Sequence, residues 1–275
     1  MTPRANMSRH FAEISSVYRS VRTTDREPVE RIARVLDGRS RLEGADIGCG
    51  DGRYDLAMFE AIPNLSLTCI DASAAMLERV DALLRANGIE RFRTRHSTAE
   101  SLELEPGRYD FVSSFNAVHH FDLAEFFRRS RDGLGDGGAL FVYTRLPEHN
   151  ARSIWGRFFP GFLDKETRLL ALGDLHGAIE NTPGLRFVSA TCLRYPRRAS
   201  LDRLIEQARS RHYSTFSLYE PDEFEDSLGR FRENVERRHV DPVEWHDENV
   251  LVHAVRDDSP ISAAIPDATP GVRDE

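Results

Sequence analysis

The chain has 275 residues, 40% of them hydrophobic and 30% charged, a balance that can bury a sizeable core and excludes a disordered or fibrous protein. Its formal charge of −8 disfavours nucleic acid as a partner of the whole chain, although a local basic patch stays open. Apolar runs fall short of the ~20 residues of a bilayer span, the N-terminus MTPRANMSRHFAEISS lacks the apolar stretch of a secretory signal, and Cys49, Cys69 and Cys192 are too few for a disulfide scaffold or a paired-cysteine zinc site; a cytoplasmic protein without metal is expected.

In chain order, Phe11, Ile14 and Tyr18 mark a first helix between Ser8 and Ser20. Val29, Ile32, Ala33 and Leu36 share one face of a second behind Asp25 and Pro28. Residues 1–40 therefore read as an N-terminal helical cap. Strands follow at Leu42 to Ile47, Leu65 to Ile70, Tyr109 to Phe115 and Ala139 to Tyr143. Between them lie a helix with Met76, Leu77, Val80, Leu83 and Leu84 on one face, stopped by Gly88, and another from Asp122 as N-cap to Gly133. This alternation predicts an α/β fold, a mostly parallel sheet with helices on both faces.

Beyond Arg145 the rhythm breaks into an aromatic insertion, Ile154 to Phe162, and a helical stretch from Lys165 to Ile179. Two late strands, Arg186 to Tyr195 and Val243 to Val255, flank about fifty residues that read as two helices. A single domain over 41–256, with insertions at about 146–182 and 197–242, is expected. From Asp257 three prolines and no periodic face predict a disordered tail, 257–275.

Asp46-Ile47-Gly48-Cys49-Gly50-Asp51-Gly52 follows a strand and opens a helix, where an open α/β sheet binds its ligand. A dinucleotide fingerprint needs G-x-G-x-x-G, but Arg53 stands at the last glycine position and the spacing is G-x-G-x-G. Asp46, Asp51 and Asp55 crowd a loop whose helix N–H groups would otherwise meet a pyrophosphate. S-adenosylmethionine, cationic and free of phosphate, suits those acids better.

Four segments, GADIGCGDGRY, TCIDAS, STAESLE with YDFVSSFNAVHHF, and RDGLGDGGALFVYTR, resemble in residues and order the class I S-adenosylmethionine-dependent methyltransferases, over about Tyr18 to Tyr143. The resemblance implies a seven-stranded sheet whose last strand is antiparallel, and a methyltransferase with S-adenosyl-L-methionine as cofactor. By position, Gly48, Gly50 and Gly52 would pass under the methionine part, with Asp46 near its amino group. Asp71, beside Ala72, would accept both ribose hydroxyls, as a two-oxygen acceptor can. Thr98, Ala99 and Glu100 would border the adenine, and Asn116 would offer its carbonyl to the ammonium. Tyr18 and Arg22 would close over the methionine carboxylate.

His119 and His120 follow the fourth strand, toward the place where acceptor meets methyl group. An unperturbed histidine has a pKa near ~6.5, so a histidine at either position suits taking the acceptor's proton; the rival reading is structural, because alignment alone supplies much of the rate. Trp155, Phe158, Phe159 and Phe162 read as a lid, a contact in a possible homodimer, or a wall for an apolar acceptor, with Trp155 and Phe159 taken as the wall. Between Arg186 and His212 seven arginines face two acids. Arg209 and Arg211, beside the pocket candidate Tyr213, are the expected contacts for a small acid, ahead of Arg197 and Arg198; a solvated helix face is the bland alternative. The expected acceptor is a small molecule with an O, N or C nucleophile. The rivals are an RNA methyltransferase and a non-methylating, cyclase-like protein on the same fold.

Overall fold

A computed structural model describes residues 24–257. Helix α1 (Glu27–Val35) begins with Glu27, Pro28 and Glu30 in its first turn and buries Val29 and Ile32. The expected first helix, and with it Tyr18 and Arg22, lies outside the described residues, as does the tail beyond Asp257.

Seven strands form one sheet in the order β3-β2-β1-β4-β5-β7-β6. β1 (Leu42–Ile47), β2 (Leu65–Asp71), β3 (Phe92–His96), β4 (Tyr109–Phe115) and β5 (Leu134–Thr144) are parallel, whereas β7 (Val243–Arg256) runs antiparallel to both β5 and β6 (Leu185–Ala199). The carboxyl ends of β1, β2, β4 and β5 thus meet at one rim. The order reverses between β1 and β4, which opens a crevice there.

β1 and β4 are buried on both faces, as central parallel strands must be. β3 carries no apolar run to announce it: the edge strand Phe-Arg-Thr-Arg-His is half exposed, and paired ladder bonds to β2 make it a strand.

Helices α1, α2 (Arg53–Ala61) and α3 (Ala74–Ala86) pack on one sheet face around Ile32, Met58, Val80 and Phe111. Helices α4 (Leu123–Gly133) and α8 (Leu172–Glu180) pack on the other around Phe126, Phe127, Leu175 and Ile179. The Asp122 N-cap holds as read, its side chain accepting the Glu125 N–H, and Ser73 caps α3 by accepting the Met76 N–H.

Both insertions share a third core. From the first come α5 (Pro147–Arg152), α6 (Ile154–Phe158) and α7 (Phe162–Lys165); from the second come α9 (Leu201–Arg209) and α10 (Pro221–Glu236). Trp155, Phe159, Phe216, Phe224 and Phe231 interlock as one aromatic cap on the rim, ring centroids 5.0 to 6.4 Å apart. The helix expected from Lys165 to Ile179 is broken between α7 and α8. There Glu166 accepts from the Arg168 backbone and guanidinium and from Thr215, drawing the chain toward the second insertion. Helix α9 stops at Arg209, with Arg211 left-handed at φ 50° and His212 Nδ1 bonded to the Gln207 carbonyl at 3.0 Å. Among the described residues no helix is long and apolar enough to cross a membrane.

Candidate functional site

The glycine loop is pinned from behind: the N–H groups of Gly48 and Cys49 donate to the Ile70 carbonyl at 2.8 and 3.0 Å. Gly48, Gly50 and Gly52 all have positive φ, which other residues adopt at a cost. A Cβ on Gly48 would strike Ala117, and one on Gly52 would crowd the backbone of Val80 in α3. One on Gly50 would meet no protein atom within 4 Å. Gly50 therefore keeps its surface clear for a ligand, while Gly52 seats α2 against α3.

A cavity of about 550 Å³ opens over this loop, a size usual for small-molecule and cofactor sites. Its wall holds Gly48, Gly50, Asp71, Ala72, Thr98, Ala99 and Asn116 of the expected cofactor residues. Asp71 accepts the Gly50 N–H at 2.9 Å through Oδ2 and the Ser73 N–H at 2.8 Å through Oδ1, so one carboxylate ties the loop to the end of β2. Burial raises its pKa, and those two N–H groups restrain the rise. Asn116 is left-handed at φ 55°, a conformation asparagine tolerates, and its N–H donates to the Tyr143 carbonyl at 2.7 Å. Thr98 bonds Ser101 at 2.9 Å and Ala72 accepts from His96 at 3.0 Å, which fixes the far wall.

Asp46 is placed differently from the expectation. It is fully buried behind the loop, accepting from Ser113 at 2.7 Å, and burial pushes its pKa up to about 7. Its neighbour Asp55 is also fully buried, and burial, then repulsion from Asp46, pushes that carboxyl well above its usual range. The pair is an internal feature of the β1–α2 junction. Gly52 too lies behind the cavity, against Val80.

A second cavity of about 350 Å³ lies between the rim and the aromatic cap. Arg53, Tyr54, Asn116, His119 and His120 line both cavities and form the junction. Tyr54 is stacked on Phe115 at 4.3 Å and buried, and the His119 and His120 rings lie 4.1 Å apart in the turn after β4. Trp155 and Tyr213 line the second cavity as expected of acceptor-facing residues. Phe159 sits inside the cap core, 3% exposed, against Phe216, Tyr219 and Phe231. Arg209 points outward to Glu225 at 3.5 Å, and Arg211 lies over the Phe224 ring at 5.8 Å. The cavity instead takes Arg145 from the end of β5 and Arg197, Arg198 and Arg203 from around the start of the second insertion. The reason is periodic: α9 buries Leu204, Ile205 and Ala208, which turns Arg209 to solvent.

Residue-by-residue reading assigned no role to Tyr54, Arg145, Asp247 or Asn249. A signal existed for Arg145, because it directly follows a parallel strand at the rim where such sheets bind ligands. Away from both cavities, His149, Cys192 and Glu248 bring possible metal-ligand atoms within 4.8 Å of one another. Glu248 accepts from Arg152, and His149 Nδ1 accepts the Leu146 N–H at 3.4 Å.

Residues 45–138 match the family described as "Methyltransferase domain". A ribosomal RNA small subunit methyltransferase C of Shewanella halifaxensis is 33% identical over 117 residues, 39% of this chain and 33% of that protein. An uncharacterized methyltransferase, YcgJ of Bacillus subtilis, is 28% identical over 143 residues, 50% of this chain and 55% of its own length. Its crystal structure superposes with a TM-score of 0.60 at 16% identity, covering 85% of this chain and 99% of that one. The geranyl diphosphate C-methyltransferase of Streptomyces coelicolor, solved with S-adenosyl-L-homocysteine, has a TM-score of 0.52 at 16% identity, covering 82% and 74%. The chain thus spans a third to about half the length of these curated relatives, and shares its fold with the solved structures.

Proposed function

We infer, for a chain with a methyltransferase domain on the class I sheet, that it transfers a methyl group from S-adenosylmethionine to an O, N or C nucleophile of a small molecule. The observation that carries this is the pair of cavities meeting at Tyr54, Asn116, His119 and His120, one against the glycine loop and one under the cap. The donor set suits the cofactor: a cradle open at Gly50, a carboxylate at Asp71 for the ribose, and Thr98 and Ala99 against the adenine. When bound, the cofactor supplies a sulfonium methyl, which takes the nucleophile's electron pair as the carbon–sulfur bond breaks.

The residues of the chain position the partners for an in-line approach, which can supply ~7 to 11 kcal/mol. Tyr54 and Asn116 fix the width of the junction, and His119 or His120 takes the proton when the nucleophile is an O–H or N–H. The covering cap and the size of the acceptor cavity favour a small acceptor over RNA, as does the charge of −8.

The test is calorimetry with S-adenosylhomocysteine, then incubation with methyl-deuterated cofactor and separate metabolite and RNA pools. Binding, with label in a small molecule, is expected. Label in RNA, with affinity that falls steeply as salt rises, overturns the acceptor class; binding without label in either pool supports the non-methylating reading.

A further inference from the structure

Two buried polar atoms in the acceptor cavity, on Arg145 and Asn249, have no hydrogen-bond partner among the described residues. Arg145 directly follows β5, with its side chain 10% exposed. Its Nη2 lies 3.2 Å from Asp247 and its guanidinium 5.0 Å from the Tyr213 ring centre, while Nη1 has no hydrogen-bond partner among the described residues. Asn249 is 6% exposed on β7. The β5–β7 register ends at the pair Thr144 and Val250, and Arg145 and Asn249 are the next residues along the two chains, both lining the cavity.

The orientation of the Asn249 amide follows from its neighbours. Tyr143 donates its hydroxyl proton to Asp25 at 3.1 Å and must therefore accept from Asn249 Nδ2, at 2.8 Å. That leaves Asn249 Oδ1 as an acceptor, and it too has no hydrogen-bond partner among the described residues. Both residues line the acceptor cavity.

A guanidinium placed only for structure would spend its fork on its carboxylate. Asp247 is instead divided: Oδ2 meets Arg197 Nε at 3.1 Å, and Oδ1 also accepts from Trp245 at 3.3 Å. Arg197 reaches on to Asp25 at 2.6 Å. The wall carries five arginines, Arg53, Arg145, Arg197, Arg198 and Arg203, against the acids Asp25, Asp247 and Glu166. Arg198 and Arg203 are held by Glu244 and Glu206 outside the wall, and Arg197 by Asp25 and Asp247, so the case for an anion rests on Nη1 of Arg145, whose planar N–H donors suit a carboxylate. Burial works against the charge of Arg145, but Tyr213 and Asp247 outweigh it and hold the group protonated.

We propose that the methyl acceptor is a small carboxylic acid that also bears an N–H or O–H group, its carboxylate seated on Arg145 Nη1 and its N–H or O–H on Asn249 Oδ1. The proposal rests on the methyltransferase reading above. It moves acid recognition from Arg209 and Arg211 to the end of β5.

The test divides a metabolite extract at pH 7 into anion-exchange-retained and flow-through fractions, incubates each with methyl-deuterated S-adenosylmethionine, and follows the label by mass spectrometry. Label is expected in the retained fraction. With the acceptor purified, Arg145→Gln should raise its KM about ten- to hundredfold and change kcat much less, with Arg145→Lys intermediate. The carboxamide of the acceptor should serve wild type and Arg145→Gln equally poorly. Calorimetry with S-adenosylhomocysteine verifies that each variant is folded, and Asp247 keeps Arg197 and Trp245 in both.

Label confined to the flow-through fraction, an acceptor whose only anion is a phosphate, or an unchanged KM in Arg145→Gln overturns the proposal while the methyltransferase reading stands. Label in neither fraction overturns that reading as well.

Discussion

Asp71 does two jobs with one carboxylate. Its oxygens hold the Gly50 and Ser73 N–H groups, and it lines the cavity that we propose for the cofactor, where it would accept from the ribose. Asp71→Ala therefore removes the ribose acceptor and loosens the loop. A charge-assisted hydrogen bond is worth about 1.5 to 3 kcal/mol, so the Kd for S-adenosylhomocysteine should rise about ten- to hundredfold in calorimetry. An unchanged Kd would remove Asp71 from cofactor binding. This residue was legible from sequence because it ends the strand after the glycine loop. Asn249 was not, since its role depends on Tyr143, which reaches it across the sheet.

Two glycines of the loop, Gly50 and Gly52, make different predictions at the level of the loop and its helices. Gly50→Ala places a methyl group in the cavity, with no protein atom within 4 Å, and should weaken cofactor binding while costing about 1 kcal/mol of stability for its φ of 58° alone. Gly52→Ala pushes Cβ to 3.2 Å from Val80 at φ 80° and should cost about 1 to 3 kcal/mol of stability. Urea titration and calorimetry on both variants separate the two, and equal losses in both assays would erase the distinction. In the cap, Trp155 is 2% exposed and packs on Phe231 and His212. Trp155→Ala should cost about 3 to 5 kcal/mol and loosen the acceptor cavity more than the cofactor cavity. Hydrogen exchange should quicken in α6, α9 and α10 while β1 and β2 keep their protection; uniform quickening would mean that the cap is no separate unit.

Across the whole molecule, the buried Asp46–Asp55 pair couples stability to pH. Burial lifts Asp46 to about 7 and Asp55 well above its usual range, whereas unfolded aspartates lose their protons near ~3.9. The folded state binds more protons above about pH 4, so stability should fall as pH rises from about 4 to 7, the window in which Asp46 loses its proton. The effect is on the order of 1 to 4 kcal/mol, and Asp46→Asn should flatten it. Urea midpoints between pH 4.5 and 8 check this; a profile just as steep in Asp46→Asn would place the linkage elsewhere.

The glycine loop, the aspartate ending β2 and the alternation of strands and helices could be read from sequence alone, because each is written in neighbouring residues or in a period of two or 3.6. Edge strand β3 and the break between α7 and α8 could not, because ladder pairing and the side chains of another segment decide them. The same holds for the site. Composition located an arginine patch, but only the packing of two insertions into one core decided that Arg145, Arg197, Arg198 and Arg203 face the acceptor cavity while Arg209 turns outward. Likewise Trp155 lines it and Phe159 fills the core. Periodicity tells which face of an element is buried; what that face is buried against is a long-range contact, which local sequence does not encode.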